Sequence, residues 1–218
     1  MSRLLLAVWL AVAATGAPEL RQPRASEQPP AWLVHNVMRW LPLIERWSPE
    51  FPDLDPAWIL AIIAQESQGD AYIEGVDGAN SIGLMQIIAR SWTGTKEQLK
   101  RPEYNTFVGM RMLHAILEKA DGDIRVALAA YNCDWSGIEG ASGPEDDLCG
   151  AHGGYAYADK ILTYWVPIFR AELVVLAADN EWLAELGYLY GTGRWDRIEY
   201  PFWEKCVVSS TGSKLCML

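Results

Sequence analysis

Glu66 is the carboxylate whose setting in this sequence best fits acid–base chemistry. With Ile59, Ile62 and Ile63 it stands at positions i, i+3, i+4 and i+7 of a predicted helix, on the stripe that otherwise faces the core. It also lies in the last helical turn, where the helix dipole disfavours a negative charge. Both effects raise the pKa of a carboxyl group, which suits a general acid near neutral pH. The simpler interpretation is a solvated glutamate at a frayed helix end.

A second group of polar residues follows this glutamate along the chain. Ser67 is its direct neighbour, and the run from Ser81 to Ile87 reads SIGLMQI. Gly83 in this run lets the backbone approach another group closely. Met85 supplies a soft apolar surface, and Gln86 supplies an amide that can bind a sugar or the glutamate itself. In the simpler interpretation Met85 belongs to the core.

Further along, an asparagine and two tyrosines extend the set. Asn105 heads a predicted long helix, and residues 127–132 read ALAAYN, which ends in Tyr131 and Asn132. Tyr157 opens a later predicted helix, with Tyr155 as the alternative at that position. The simpler interpretations are a core position for Tyr131 and a helix C-cap for Asn132.

This ordered set of motifs resembles the SLT-type lytic transglycosylases, enzymes of the lysozyme-like superfamily that cut the glycan strands of peptidoglycan. The resemblance runs from about Pro56 to Tyr164. It implies a mainly α, lysozyme-like α+β domain with a small β or loop region beside the catalytic helix. It implies Glu66 as the catalytic residue and the following substrate-binding residues: Ser67, Ser81, Gly83, Met85, Gln86, Tyr131, Asn132 and Tyr157.

The resemblance also implies a mechanism with one carboxylate. Glu66 first protonates the glycosidic oxygen between N-acetylmuramic acid and N-acetylglucosamine. It then acts as base toward the muramic C6 hydroxyl, which closes on C1 to give a 1,6-anhydro end, while the substrate N-acetyl group stabilises the cationic intermediate. Two alternatives stay open. One is a hydrolytic muramidase in which Asp70, Glu74 or Asp77 activates water as a second carboxylate. The other is a non-catalytic peptidoglycan-binding or structural protein.

Two departures from the family pattern concern the ends of the groove rather than the chemistry. Ala89 stands in the region where the family usually has a proline after GLMQI. After AYN the family usually continues with Ala-Gly-Pro, whereas this chain has Cys133, Asp134 and Trp135. Trp92 and Trp135 follow the motifs and are candidates for stacking on sugar rings.

Helical periodicity, caps and breakers predict the elements that position these residues. Asp55 followed by Pro56 is a strong helix start, and Pro167 is expected to bend the last long helix. The pattern predicts helices over about 31–47, 56–66, 105–119, 124–131, 157–176 and 182–189, with loops over 70–81 and 136–154. Strand signals are few, so the predicted class is mainly α.

The two ends of the chain differ in composition from its middle. Residues 1–17 have a positive start, an apolar run and small residues at the end, which predicts a secretory signal peptide. A flexible Pro-rich leader is predicted over 18–30, the transglycosylase domain over 31–178, and a C-terminal extension of unknown role over 179–218. We therefore expect an exported protein, periplasmic or secreted, without stable membrane insertion after signal cleavage.

The net charge excludes one class of partner, and the cysteines agree with export. The net charge of −10 argues against a nucleic-acid partner. The four cysteines form no CxxC pair, and short loops favour disulfides Cys133–Cys149 and Cys206–Cys216. The three histidines show no metal-ligand spacing, so neither a metal nor another cofactor is expected.

Overall fold

Helices dominate the part of the chain that the computed structural model describes, which is residues 28–75, 80–143, 145–150, 153–178, 206–208 and 214–216. The helices are α1 Ala31–Met38, α2 Leu41–Trp47, α3 Pro56–Glu66, α4 Lys96–Leu99, α5 Pro102–Lys119, α6 Ile124–Cys133, α7 Trp135–Ile138, α8 Gly154–Lys160 and α9 Val166–Ala178. A π-helical turn, Ile161–Trp165, joins the last two. The predicted mainly α class is confirmed.

Helix α3 is the central element, and its sequence explains why. The Asp55 carboxylate accepts a hydrogen bond from the Ala57 backbone N–H at 2.8 Å, and Pro56 occupies the first turn, as predicted. Every residue from Ile59 to Ala64 is buried. Helices α1, α2 and α9 and the π-helical turn pack around it. Glu66 is therefore the last residue of a helix whose middle is completely buried.

Asp55 caps α3 and also forms an ion pair, so its replacement tests how much these two contacts stabilise the fold. Arg170 Nη2 lies 2.7 Å from Asp55 Oδ2 and links α9 to the start of α3. We expect Asp55→Ala to lower the free energy of unfolding by about 1–2 kcal/mol, because the cap and the ion pair are lost together. Arg170→Gln removes the ion pair alone and should cost less in the same urea titration. Equal losses for the two variants would show that the cap contributes nothing.

The single helix predicted over 31–47 is wrong: the structure divides it into α1 and α2 at Arg39 and Trp40. Pro42 is the physical reason. It has no N–H to donate to the carbonyl of Met38, and its ring would clash with that carbonyl in a continuous helix. Pro42 instead lies in the first turn of α2, where the missing N–H is tolerated.

Helix α5 begins at Pro102, three residues before the predicted start. Asn105 therefore lies within the helix rather than at its first position, and its side chain is fully buried. This change of position turns the asparagine toward the loop that carries Met85 and Gln86.

The last long helical segment is not a continuous α-helix, because a π-helical turn interrupts it just before Pro167. Because Pro167 lacks an N–H, the normal i to i−4 hydrogen bond to Thr163 cannot form, and the chain runs through the π-helical turn at this point. The turn places Trp165 against α3, where its indole N–H donates to Gln65 Oε1 at 3.0 Å. The segment starts at Gly154, three residues earlier than predicted.

Two short antiparallel hairpins are the only sheets among the described residues. Strands β1 (Ser81–Ile82) and β2 (Ile87–Ile88) pair beside α3, which agrees with the expected small β region. Strands β3 (Cys206–Val208) and β4 (Lys214–Cys216) pair in the extension, with Cys206 opposite Cys216. That register suits the predicted Cys206–Cys216 disulfide, which stays a prediction.

The predicted loop over 136–154 begins with the short helix α7 and carries one disulfide. Cys133 and Cys149 are bonded, with their Cα atoms 5.8 Å apart, so the first predicted pairing is confirmed. The predicted signal peptide and the predicted helix over 182–189 lie outside the described residues, and the domain limits stay predictions. Within the described ranges, no helix has the length and apolarity needed to cross a membrane.

Candidate active site

Glu66 ends α3 as a partly buried carboxyl group. Burial raises its pKa from 4.5 to about 7, and the hydroxyl of Tyr157 acts in the opposite direction by stabilising the charged form. The direction agrees with the expectation from its place on the apolar stripe. A group with this pKa is present in both protonation states near neutral pH, so it can give up a proton and take one back.

Two tyrosine phenols, those of Tyr131 and Tyr157, are influenced by the charge of this carboxyl group. Burial and the charge of Glu66 hold the pKa of both Tyr131 and Tyr157 well above the usual value, so both stay protonated. The Tyr131 hydroxyl donates to the Met85 carbonyl at 2.8 Å. The Tyr157 side chain is 5% exposed, and its hydroxyl makes no well-formed hydrogen bond among the described residues. Glu66 is the group whose charge it can stabilise.

Ser67 links the end of α3 to the neighbouring loop. Its buried hydroxyl lies 2.8 Å from the Leu84 carbonyl and 3.0 Å from the Ile63 carbonyl, and it accepts a hydrogen bond from the Gly69 N–H at 3.2 Å. These contacts are all to backbone atoms. Ser67 therefore fixes the position of Glu66 relative to the loop, while its side chain is 2% exposed.

Residues Gly83–Gln86, here called the GLMQ turn, connect β1 to β2. Gly83 has φ +75° and Gln86 has φ +48°, both in the left-handed region. The Gln86 amide is engaged within its own loop: Oε1 accepts from Ser81 Oγ at 2.8 Å, and Nε2 donates to Gly83 O at 3.0 Å and to Ile73 O at 3.3 Å. Ser81 and Gln86 thus brace the turn, and no contact joins the Gln86 amide to Glu66.

The Asn105 side chain also stabilises the GLMQ turn. Its Nδ2 donates to Ile82 O at 2.7 Å and Leu99 O at 3.0 Å, and its Oδ1 accepts from Met85 N at 2.9 Å. A Cβ on Gly83 would come within 2.7 Å of Asn105 Nδ2, so only glycine fits there. The Met85 side chain is fully buried and packs on Gly109 of α5. Met85 therefore offers its backbone, not its side chain, to the site.

Asn132 is exposed at the end of α6, and its Oδ1 accepts from the Gly154 N–H at 3.1 Å. The contact joins the ALAAYN segment to the start of α8, the helix that carries Tyr157. Of the predicted substrate-binding residues, Tyr157 stabilises the charged form of Glu66 and Tyr131 responds to that charge. The others hold the surrounding loops: Ser67, Ser81, Gly83, Met85, Gln86 and Asn132.

The residue after this segment, Asp134, has φ +61° and ψ +155°, a backbone conformation that is essentially restricted to glycine. It stands where the family usually has glycine. We expect Asp134→Gly to raise the free energy of unfolding by about 1 kcal/mol, because the strain of the Cβ disappears. Thermal unfolding measures this, with Asp134→Ala as the control that keeps the Cβ. Equal stability of the two variants would contradict the assignment of strain.

The candidate second carboxylates have other partners. Asp70 is exposed and accepts from the Tyr72 N–H at 2.9 Å. Glu74 is exposed and forms an ion pair with Lys100 at 2.7 Å, and this contact lowers its pKa. Asp77 lies outside the described residues.

Three side chains that precede α3 contact the turn that follows Glu66, and sequence reasoning missed them. Asn36 Nδ2 donates to Gln68 O at 2.5 Å, while Arg39 Nη2 and Trp40 Nε1 donate to Gly69 O at 2.8 Å and 2.9 Å. Local patterns carry no signal for these contacts, because the partners are about thirty residues apart.

The two stacking candidates differ in exposure. Trp92 is 55% exposed, so its ring is accessible from solvent. Trp135 is partly buried, and the Lys119 amino group lies 4.1 Å from its ring centre, which occupies one face. Within the part of the chain that is described, no group of three or more His, Cys, Asp or Glu side chains is arranged to hold a metal ion.

A mainly helical domain with a raised-pKa glutamate at the end of its central helix and a small hairpin beside it is of the lysozyme-like class. Residues 47–139 of the chain match the family model of the Transglycosylase SLT domain. The matched stretch contains Glu66, the GLMQ turn, Asn105 and the ALAAYN segment. The resemblance to the SLT-type lytic transglycosylases is thereby confirmed over this stretch, and with it a general function in acting on peptidoglycan.

Proposed function

We propose that this protein is a peptidoglycan lytic transglycosylase in which Glu66 is first the general acid and then the general base. The observation that carries the proposal is the pKa of this carboxyl group, about 7, at the end of the buried helix α3. An ordinary glutamate would be ionised near neutral pH and could not protonate a leaving group. The match of residues 47–139 to the Transglycosylase SLT domain supplies the substrate class.

In the first step the protonated Glu66 transfers its proton to the glycosidic oxygen between N-acetylmuramic acid and N-acetylglucosamine. The bond from C1 to this oxygen breaks, and the N-acetyl group of the substrate stabilises the positive charge at C1. Glu66 is now a carboxylate, and the adjacent buried Tyr157 hydroxyl stabilises this form. Burial therefore favours the protonated form of Glu66 that the first step needs, and the Tyr157 phenol stabilises the carboxylate that the first step produces.

In the second step the Glu66 carboxylate takes the proton of the muramic C6 hydroxyl, and the oxygen bonds to C1. The product is a 1,6-anhydro end, and Glu66 is again protonated, so the cycle closes without water. A hydrolytic muramidase would instead need a base that activates water. The exposed positions of Asp70 and Glu74, each engaged by another group, favour the intramolecular route.

Digestion of purified peptidoglycan followed by mass spectrometry tests the proposal. We expect muropeptides lighter by one water than those released by a muramidase, and no such release by Glu66→Gln. Muropeptides with reducing ends would identify a hydrolytic enzyme. Sedimentation of the protein with sacculi and no release of fragments would identify a binding protein.

The pH dependence of cleavage follows from the same carboxyl group. Because the first step needs protonated Glu66, kcat/KM should stay level below a pH of about 7 and fall about tenfold for each further pH unit. The value of kcat/KM falls as the pH rises because the protonated, active form of Glu66 disappears. A turbidity assay on sacculi at constant ionic strength measures the profile. A rate that rises through the same range would contradict the role as acid.

We also propose that the protein is exported by a signal peptide at residues 1–17, to the periplasm or beyond. The disulfide between Cys133 and Cys149 supports this, because such bonds persist in oxidising compartments. The proposed substrate lies in the same place. Cell fractionation with sequencing of the mature N-terminus tests the proposal, and a mature chain that begins after Ala17 is the expected result.

A further inference from the structure

The turn directly after Glu66 has an unusual backbone. Gln68 has φ +55° and Gly69 has φ +83°, so two consecutive residues adopt the left-handed conformation. Gln68 carries a Cβ, for which this conformation is disfavoured. A Cβ on Gly69 would come within 2.5 Å of the Asn36 carbonyl oxygen. A turn of this kind keeps its shape only where surrounding groups hold it.

Asn36, Arg39 and Trp40 are those groups, and together they are here called the clamp. Their side chains direct three hydrogen bonds at two successive carbonyls, Gln68 O and Gly69 O. Trp40 and Arg39 are partly buried, and the guanidinium of Arg39 also lies 4.8 Å from the Trp40 ring centre. The break between α1 and α2 gives these side chains their direction, since Arg39 and Trp40 form the connection itself.

The clamp and Ser67 both hold the backbone that directly follows Glu66. Ser67 fixes the end of α3 to the GLMQ turn through Leu84 O, and the clamp fixes the next two residues. Because these residues adjoin Glu66 in the chain, a change in the turn is transmitted to the end of the helix that carries the carboxyl group. The clamp lies before residue 47, outside the stretch that matches the Transglycosylase SLT domain.

We propose that Asn36, Arg39 and Trp40 are positioning residues for the general acid, which act by fixing the turn at Gln68 and Gly69 and thereby the enclosure of the Glu66 carboxyl group. The proposal rests on the proposed function for its kinetic consequence alone. Its structural consequence, the degree to which Glu66 is shielded from water, is independent of substrate.

The test uses variants of the full chain that leave its charge unchanged. Asn36→Ala removes the donor to Gln68 O. Trp40→Phe removes one of the two donors to Gly69 O while it keeps an aromatic ring in place, and the double variant combines the two substitutions. Trp47→Phe is the matched control, because the Trp47 indole N–H is buried without a hydrogen-bond partner among the described residues. If the double variant does not fold, the same measurements are made on Trp40→Phe alone.

The main measurement is the titration of the Glu66 carboxyl carbon by NMR in isotopically labelled protein, with Glu66→Gln used for assignment. Tyr131 and Tyr157 are the titratable neighbours that act on Glu66 or respond to it, and they stay protonated across this range. We expect a midpoint at a pH of about 7 in the wild type and in Trp47→Phe. In the double variant the midpoint should fall by about half a pH unit or more, because a better solvated carboxyl group ionises more readily.

The kinetic readout separates positioning from binding and from simple loss of fold. With the double variant we expect kcat on peptidoglycan to fall about three- to tenfold while KM is unchanged, since loss of the clamp displaces the acid rather than the substrate. An unchanged Glu66 midpoint together with a lower melting temperature would overturn the proposal. A shifted midpoint with no lytic activity in the wild type would support the clamp and refute the proposed function.

Discussion

Replacing Glu66 with glutamine is expected to lower kcat on peptidoglycan by about a thousandfold or more while the fold is retained. Positioned acid–base groups contribute on the order of a hundred- to ten-thousandfold, and here one group serves both steps. Glutamine keeps the shape of the side chain and cannot give or take the proton. Release of muropeptides from sacculi, quantified by chromatography, measures the loss.

The same substitution is expected to stabilise the protein above neutral pH. The pKa of Glu66 is about 7 in the folded protein and near 4.5 when unfolded, so the folded state binds the proton more tightly. The unfolding free energy of the wild type therefore falls as pH rises from 4.5 to about 7, by roughly 3 kcal/mol. Glu66→Gln removes this loss, and urea titrations at about pH 5 and about pH 8 measure the difference.

Asp70→Asn is the matched control for both measurements. Asp70 is an exposed carboxylate close in sequence to Glu66, and its replacement should change neither lytic activity nor the pH dependence of stability. Loss of activity in Asp70→Asn would favour the hydrolytic alternative with a second carboxylate. Full activity in Glu66→Gln would remove Glu66 from the mechanism.

Replacing Asn105 with alanine is expected to have the largest effect on stability, about 3–5 kcal/mol of unfolding free energy. Three backbone groups depend on this buried side chain: Ile82 O, Leu99 O and Met85 N. Each loses its partner in the variant, and burial prevents water from replacing it without rearrangement. Activity should fall as well, because the turn that Asn105 holds is tied through Leu84 O to Ser67, next to Glu66.

Asn132→Ala is the control for this prediction. Asn132 is exposed and its side chain accepts one hydrogen bond, from the Gly154 N–H, so its loss should cost about 1 kcal/mol. Chemical unfolding of both variants at the same pH provides the comparison. Equal destabilisation by the two substitutions would contradict the role given to Asn105.

The parts of this fold that the sequence predicts are those with a local physical cause. Asp55 and Pro56 define the start of α3 without reference to any distant residue, and the apolar stripe beside Glu66 indicates the direction of its pKa shift. The division between α1 and α2 also has a local cause in Pro42, which the helical periodicity of the surrounding residues obscures. Pro102 likewise starts α5 before the position that the apolar pattern indicates.

The parts that the sequence does not predict depend on partners far away along the chain. The amide of Gln86 is the kind of group that binds sugars, yet its contacts are to Ser81, Gly83 and Ile73, which only the folded loop brings together. Trp40 is of a residue type that is common in protein cores, but its indole N–H donates a hydrogen bond to Gly69 O. Residue type left open which atoms each side chain engages.

In the proposed mechanism one carboxyl group, Glu66, breaks the glycan strand without water. Digestion of purified peptidoglycan in water enriched in a heavy oxygen isotope distinguishes this from hydrolysis, with a hydrolytic muramidase run in parallel. We expect the anhydro products released by this protein to carry no heavy oxygen at the cleaved muramic residue, whereas the muramidase products do. Heavy oxygen at that residue, in products that require Glu66, would show that water attacks C1 and that the mechanism is wrong.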